Sequence, residues 1–95
     1  MTREEIKTAI LEFFRKEFEI ENPGMEENLR EIHGFDSIDA IELLLEIEKI
    51  LGSELTHEEK KRAMDIQNLN QVCDYVESLA KVRKIGNGQV KGVIT

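Results

Sequence analysis

The chain has 95 residues, which suits one domain, and its 13 Lys and Arg against 20 Asp and Glu give a formal charge of −7. A field of that sign disfavours binding to nucleic acid or to anionic lipid headgroups and favours a basic protein partner. A single cysteine, Cys73, excludes an intramolecular disulfide, and neither histidine has a second ligand at metal-binding spacing, so no metal site is expected.

The N-terminal segment predicts a first helix. Thr2 and Glu5 have the spacing of a capping box, in which each side chain bonds a free backbone N–H of the first turn. Apolar residues then recur at helical spacing to about residue 19, at Ile6, Ile10, Phe13, Phe14 and Phe18. Because this segment has no long apolar run, we expect no signal peptide, no membrane span and a reducing, cytoplasmic location.

Residues 22–35 predict a long connection, with Leu29, Ile32 and Phe35 as anchors to the core. A second helix begins at Asp36 and Ser37 and runs to about Leu51, where Gly52 provides a stop. The pair Thr56 and Glu59 has capping-box spacing and predicts a short third helix near residues 57–64.

The last predicted helix begins at Asn68 and has one clean apolar stripe, made of Leu69, Val72, Cys73, Val76, Leu79 and Ala80. Residues 1–80 hold nine bases and all 20 acids, a charge of −11, whereas the segment beyond is basic. These patterns predict an all-α, antiparallel four-helix bundle with a short third helix over residues 1–82, followed by a basic, flexible tail at 83–95.

The second helix has two apolar stripes instead of one. A broad stripe suited to the core is made of Ala40, Leu43, Leu44, Ile47, Ile50 and Leu51, and a second stripe is made of Ile38, Ile41 and Leu45. Acidic residues border the second stripe, namely Asp39, Glu42, Glu46 and Glu48. The second stripe is either buried by another helix or exposed as a docking surface for a basic, partly apolar groove.

Ser37 at the start of this helix allows three interpretations. It is simply the first helical residue after an Asp36 cap, it is a nucleophile activated by His33 or His57, or it is an attachment point for a phosphodiester-linked group. A nucleophile needs a base and a residue that orients that base, and the sequence contains no GxSxG elbow.

Residues 34–43, Gly-Phe-Asp-Ser-Ile-Asp-Ala-Ile-Glu-Leu, resemble the Asp-Ser-Leu signature of acyl carrier proteins. The order of a long helix, a long loop, an acidic helix, a short helix and an apolar helix also resembles that family over residues 3–82. Ile38 stands where the family usually has Leu, and Lys49 follows Glu48 where many members have another acid.

This resemblance implies a carrier that is a monomer and not an enzyme. Ser37, flanked by Asp36, would receive 4′-phosphopantetheine from coenzyme A through a phosphopantetheinyl transferase, and the arm would hold acyl groups as thioesters for fatty-acid, polyketide or related enzymes. Partner enzymes with basic patches would contact the second helix at Ile38, Asp39, Ile41, Glu42, Leu45, Glu46 and Glu48. The alternative is an unmodified acidic helical module that binds a basic protein through the same helix.

Overall fold

Five α-helices make up residues 1–83, which are the residues that the computed structural model describes. They are α1 (Arg3–Phe18), α2 (Leu29–His33), α3 (Ser37–Leu51), α4 (His57–Ala63) and α5 (Leu69–Val82), and these residues contain no β-strand. The all-α helical bundle is therefore confirmed, and α4 is the predicted short helix. No helix in this part of the chain combines the length and apolar character needed to cross a bilayer.

The helix N-termini are closed by the side chains that the sequence singled out. The Thr2 hydroxyl accepts from the Glu5 N–H at 3.1 Å, while the Glu5 carboxylate accepts from the Thr2 N–H at 2.8 Å. The Thr56 and Glu59 pair has the same reciprocal bonds, and the Asn68 side chain accepts from the backbone at the start of α5. Each cap satisfies donors that the first helical turn otherwise leaves free.

Helix α2 lies inside the segment that the sequence predicted as a long connection. The Asn28 side chain accepts from two N–H groups of its first turn, and Gly34 ends it with φ 67°, a left-handed conformation that favours glycine. Leu29 is buried as expected, but Ile32 is 59 % exposed, so the prediction that Ile32 anchors the core is wrong. Leu29 and Ile32 are three residues apart and lie on the same side of the short helix, but only Leu29 reaches the core cluster, so the packing around α2 and not the helical spacing decides which of the two is covered.

The aromatic side chains join α1 to the segment before α3. The Phe35 ring stacks on Phe14 at a centroid distance of 5.6 Å and meets Phe18 edge to face at 5.5 Å. Phe14 is fully buried, whereas Phe13 and Phe18 are only partly buried against the core. This cluster fixes the chain two residues before Ser37.

Helix α5 is the central element of the core. Its predicted apolar stripe is fully buried as expected, and it packs against α1 and α3. The facing residues are Ile6, Ile10 and Phe14 of α1 and Leu43, Ile47 and Leu51 of α3. Cys73 belongs to this interior, and burial raises the pKa of its thiol, which agrees with a packing role.

Helix α4 has no fully buried residue, although its Ala63 is partly buried against the core, and polar contacts join it to α5. The Tyr75 hydroxyl donates to the Glu59 carbonyl at 2.6 Å, and Nη2 of Arg83 donates to the Glu59 carboxylate at 2.6 Å. Arg83 also donates through Nε to Oγ of Ser53 at 2.6 Å. Residue 83, assigned from the sequence to the tail, thus contacts α4 and the α3–α4 loop, while the rest of that predicted tail lies outside the described residues.

Candidate functional site

Ser37 is the first residue of α3, and its side chain is exposed. Gly34 caps the end of α2 just before it, so only Gly34, Phe35 and Asp36 separate the two helices. Because Phe35 is packed against Phe14, this short link is held in place while the serine that follows faces solvent. The fold therefore presents a hydroxyl at a fixed helix N-terminus.

Asp36 and Asp39 form a capping box around that serine. The Asp39 N–H donates to Oδ1 of Asp36 at 2.9 Å, and the Asp36 N–H donates to Oδ2 of Asp39 at 3.1 Å. The sequence predicted Asp36 as the cap but did not predict the return bond from Asp39. Within an α-helix the first N–H groups have no acceptor, so those of Ser37 and Ile38 remain available at the positive end of the helix dipole.

The geometry of the two histidines does not favour a serine nucleophile. Nε2 of His33 lies 2.9 Å from Oε1 of Glu27, and this hydrogen bond, followed by one from the Gly24 N–H, lowers the pKa of the Glu27 carboxyl. Among residues 1–83 no hydrogen bond joins either His33 or His57 to Ser37. The base that a triad would place on the hydroxyl is thus not positioned there.

The second apolar stripe of α3 faces solvent. Ile38, Ile41 and Leu45 are 67 %, 59 % and 55 % exposed, whereas Leu43 and Ile47 on the other side of the helix are buried. No other helix of the described chain covers the stripe, so the interpretation in which a neighbouring helix buries it is wrong. Three large apolar side chains next to an exposed serine form a contiguous patch of the kind that marks interaction surfaces.

The four acids assigned to this surface differ in their surroundings. Asp39 is bound in the capping box, and the Glu48 carboxylate accepts from the Leu55 N–H at 2.8 Å, which fixes the loop after α3. In the described part of the chain, Glu42 and Glu46 form no ion pair. Glu48 therefore has an internal role that helical spacing could not predict, and Glu42 and Glu46 are the acids most available to a partner.

A comparison with known protein families identifies the domain. A family model described as a phosphopantetheine attachment site matches residues 8–76, more than half of the chain. The chain belongs to this family. The resemblance to acyl carrier proteins is thereby confirmed, and so is 4′-phosphopantetheine as the cofactor that the domain carries covalently. No curated protein matches the chain.

The matched region contains two serines, and their surroundings differ in ways that matter for a phosphopantetheine carrier. Oγ of Ser53 accepts the hydrogen bond from Arg83, next to the ion pair that holds α4. Both serines are exposed, but among residues 1–83 no hydrogen bond engages the hydroxyl of Ser37, which is the first residue of α3. The Ser37 site fits a phosphodiester, because an accessible oxygen stands beside free N–H groups at the positive end of a helix.

Proposed function

We propose that Ser37 carries the 4′-phosphopantetheine arm and that the protein delivers acyl intermediates, held as thioesters, to fatty-acid, polyketide or related biosynthetic enzymes. One observation carries this proposal: of the two serines in the family match, Ser37 alone is exposed at a helix N-terminus with an unengaged hydroxyl. Family membership supports the carrier role in general, and the residue and the pathway are proposed here.

The chemistry at Ser37 needs only an accessible oxygen. Oγ of Ser37 forms the new bond to phosphorus, the pyrophosphate bond of coenzyme A breaks, and adenosine 3′,5′-bisphosphate leaves as the hydroxyl gives up its proton. The bound arm supplies a thiol that forms thioesters with acyl groups. The free N–H groups of Ser37 and Ile38 stabilise the phosphodiester charge, and the Asp36–Asp39 box keeps the helix end rigid.

Helix α3 supplies the surface on which partner enzymes dock. Ile38, Ile41 and Leu45 provide exposed apolar area, and Glu42 and Glu46 provide unpaired negative charge. A complementary enzyme surface combines an apolar contact with lysines or arginines. The partners proposed are a phosphopantetheinyl transferase and the acyl-transferring, condensing or modifying enzymes that use the loaded arm.

The protein itself contributes positioning and not catalysis in this proposal. Residues 1–82 form the carrier domain, with Arg83 bound to it through Glu59. We propose that it works as a cytoplasmic monomer, in which one docking face beside Ser37 serves each partner in turn. Asp36 and Asp39 maintain the site through the capping box, so their contribution is geometric.

A loading experiment tests the assignment of the serine. The full chain is incubated with coenzyme A, magnesium and a promiscuous phosphopantetheinyl transferase, and the intact mass is measured. The native protein and the matched control Ser53→Ala are expected to gain one phosphopantetheinyl group, whereas Ser37→Ala gains none. A gain that persists in Ser37→Ala, or no gain in the native chain, would overturn the proposal.

A further inference from the structure

A groove lies between helices α1 and α3 on one side of the bundle. Each packs mainly against α5, and the groove is lined by side chains from both helices. Its apolar lining consists of Ala9 and Phe13 of α1 and Leu45 of α3. We call this feature the α1–α3 groove. It extends the exposed apolar surface of α3 onto α1, a helix for which the sequence predicted no part in partner binding.

Carboxylates dominate the polar rim of the α1–α3 groove. Glu12 is neutralised by its own helix, since it bonds Arg15 and lies 3.9 Å from Nζ of Lys16. The other lining acids, Glu17, Glu42 and Glu46, and the other lining cation, Lys49, form no ion pair within residues 1–83. Counted over the whole lining, four carboxylates stand against two ammonium groups, those of Lys16 and Lys49, so the groove has an excess of negative charge.

An apolar lining with an acidic rim selects a particular kind of side chain. The stem of arginine packs on apolar surface while its guanidinium reaches carboxylates, and the guanidinium also stacks on aromatic faces. The groove is lined by the aromatic side chain of Phe13, by Glu17 on the same helix, and by Glu42 and Glu46 of α3. Lysine matches only part of this arrangement, because its ammonium is a compact, strongly hydrated charge.

We propose that the α1–α3 groove receives an arginine-bearing segment of a partner protein, so that α1 takes part in docking through Phe13 and Glu17. This inference rests on the proposed carrier function, since it describes how the enzymes proposed to dock on α3 also contact α1. It assigns a role to two residues of α1, and it predicts that arginine is preferred over lysine in the part of the partner that enters the groove.

The test uses the full chain and a peptide probe, so its result does not depend on loading of Ser37. The probe is an amphipathic helical peptide with leucine and arginine on one face, compared with peptides in which lysine or glutamate replaces arginine. Backbone NMR shifts are expected at Ala9, Phe13 and Leu45, with binding weaker for the lysine peptide and lost for the glutamate peptide. Ser37→Ala is expected to bind like the native protein.

Charge-reversal variants distinguish binding in the α1–α3 groove from a general effect of the protein's negative charge. Glu17→Lys is expected to weaken arginine-peptide binding about tenfold. The matched control Glu26→Lys makes the same change in charge at an exposed loop position outside the groove, and it is expected to stay within about twofold. Equal losses in the two variants, shifts confined to α3, or equal binding of the lysine and arginine peptides would each contradict the proposal.

Discussion

Arg83 at the end of α5 and Glu59 of α4 form an ion pair in which both side chains are largely buried, 16 % and 14 % exposed. Nη1 and Nη2 of Arg83 donate to the two carboxylate oxygens at 2.9 and 2.6 Å. Helix α4 has no fully buried residue, and this bidentate pair and the Tyr75 hydroxyl join it to α5, beside the partly buried Ala63 that packs against the core.

Loss of this pair is expected to destabilise the fold in a pH-dependent way. The hydrogen bond from Arg83, helped by the Thr56 N–H, lowers the pKa of Glu59 from 4.5 to about 2. A lowered carboxyl pKa adds stability above pH 4.5, and that contribution disappears as the pH falls through about 2. Arg83→Met is therefore expected to lower the free energy of unfolding by about 2 kcal/mol at neutral pH and by less near pH 2.

Urea denaturation at several pH values measures this effect, with Arg3→Met as the control. Arg3 pairs with Asp74 and Glu77 on α5, but these side chains are more exposed to solvent, so the loss of stability is expected to be smaller than in Arg83→Met. Equal losses in the two variants, or a loss in Arg83→Met that grows at low pH, would show that the pair does not hold α4.

The Asp36–Asp39 box predicts a second effect on stability. Asp36→Ala removes the side-chain acceptor for the Asp39 N–H and is expected to lower the free energy of unfolding by about 1 kcal/mol. Asp36→Asn keeps an acceptor and is expected to lower it by only a few tenths of a kcal/mol. Thermal unfolding of the two variants provides the comparison. If Asp36→Ala is as stable as Asp36→Asn, the box does not stabilise the start of α3.

The sequence predicted the helix ends and the α5 core because these depend on local spacing. It missed α2, since five residues give too short a pattern to separate from a loop, and it misplaced Ile32 because spacing does not show which residues of that short helix the rest of the chain covers. The bonds of Arg83 to Glu59 and of Glu48 to Leu55 depend on how distant segments pack, which no periodicity encodes. The apolar pattern of α3 did not show whether its second stripe is buried or exposed. The packing of the other helices leaves that stripe exposed.

Charge repulsion on α3 predicts a response to salt. Glu42 and Glu46 lie one helical turn apart on the surface, which destabilises the helix slightly while both carboxylates are ionised. Added salt or Mg²⁺ is therefore expected to raise the melting temperature. The double variant Glu42→Gln with Glu46→Gln is expected to show a smaller rise; an equal rise would place the repulsion elsewhere.

Charge reversal on the proposed docking face of α3, where Glu42 lies, is expected to have a kinetic effect. Glu42→Lys is expected to lower kcat/KM for loading by the transferase about tenfold, because it opposes a basic partner surface without removing Ser37. The control Glu26→Lys changes the net charge equally and is expected to load at the native rate. Similar losses in both variants would mean that overall charge, and not this face, guides the transferase.

The alternative hypothesis, in which the chain is an unmodified acidic interaction module, predicts a different effect of Ser37→Ala from the carrier hypothesis. If the chain acts only as an acidic module, Ser37→Ala keeps its function in the native cell while Glu42→Lys loses it. The carrier predicts that both variants fail. Complementation of a strain that lacks the protein distinguishes the two, with Ser53→Ala as the variant expected to restore growth or product under either interpretation.

The state of Ser37 in protein isolated from its native cell tests the carrier role most directly. Intact mass is measured before and after hydroxylamine, which cleaves thioesters but leaves the phosphodiester in place. We predict the mass of one phosphopantetheinyl group with an added acyl group that hydroxylamine removes, and a peptide map that places the arm on Ser37. An unmodified Ser37, or a modification on another residue, would contradict the carrier role assigned to this site.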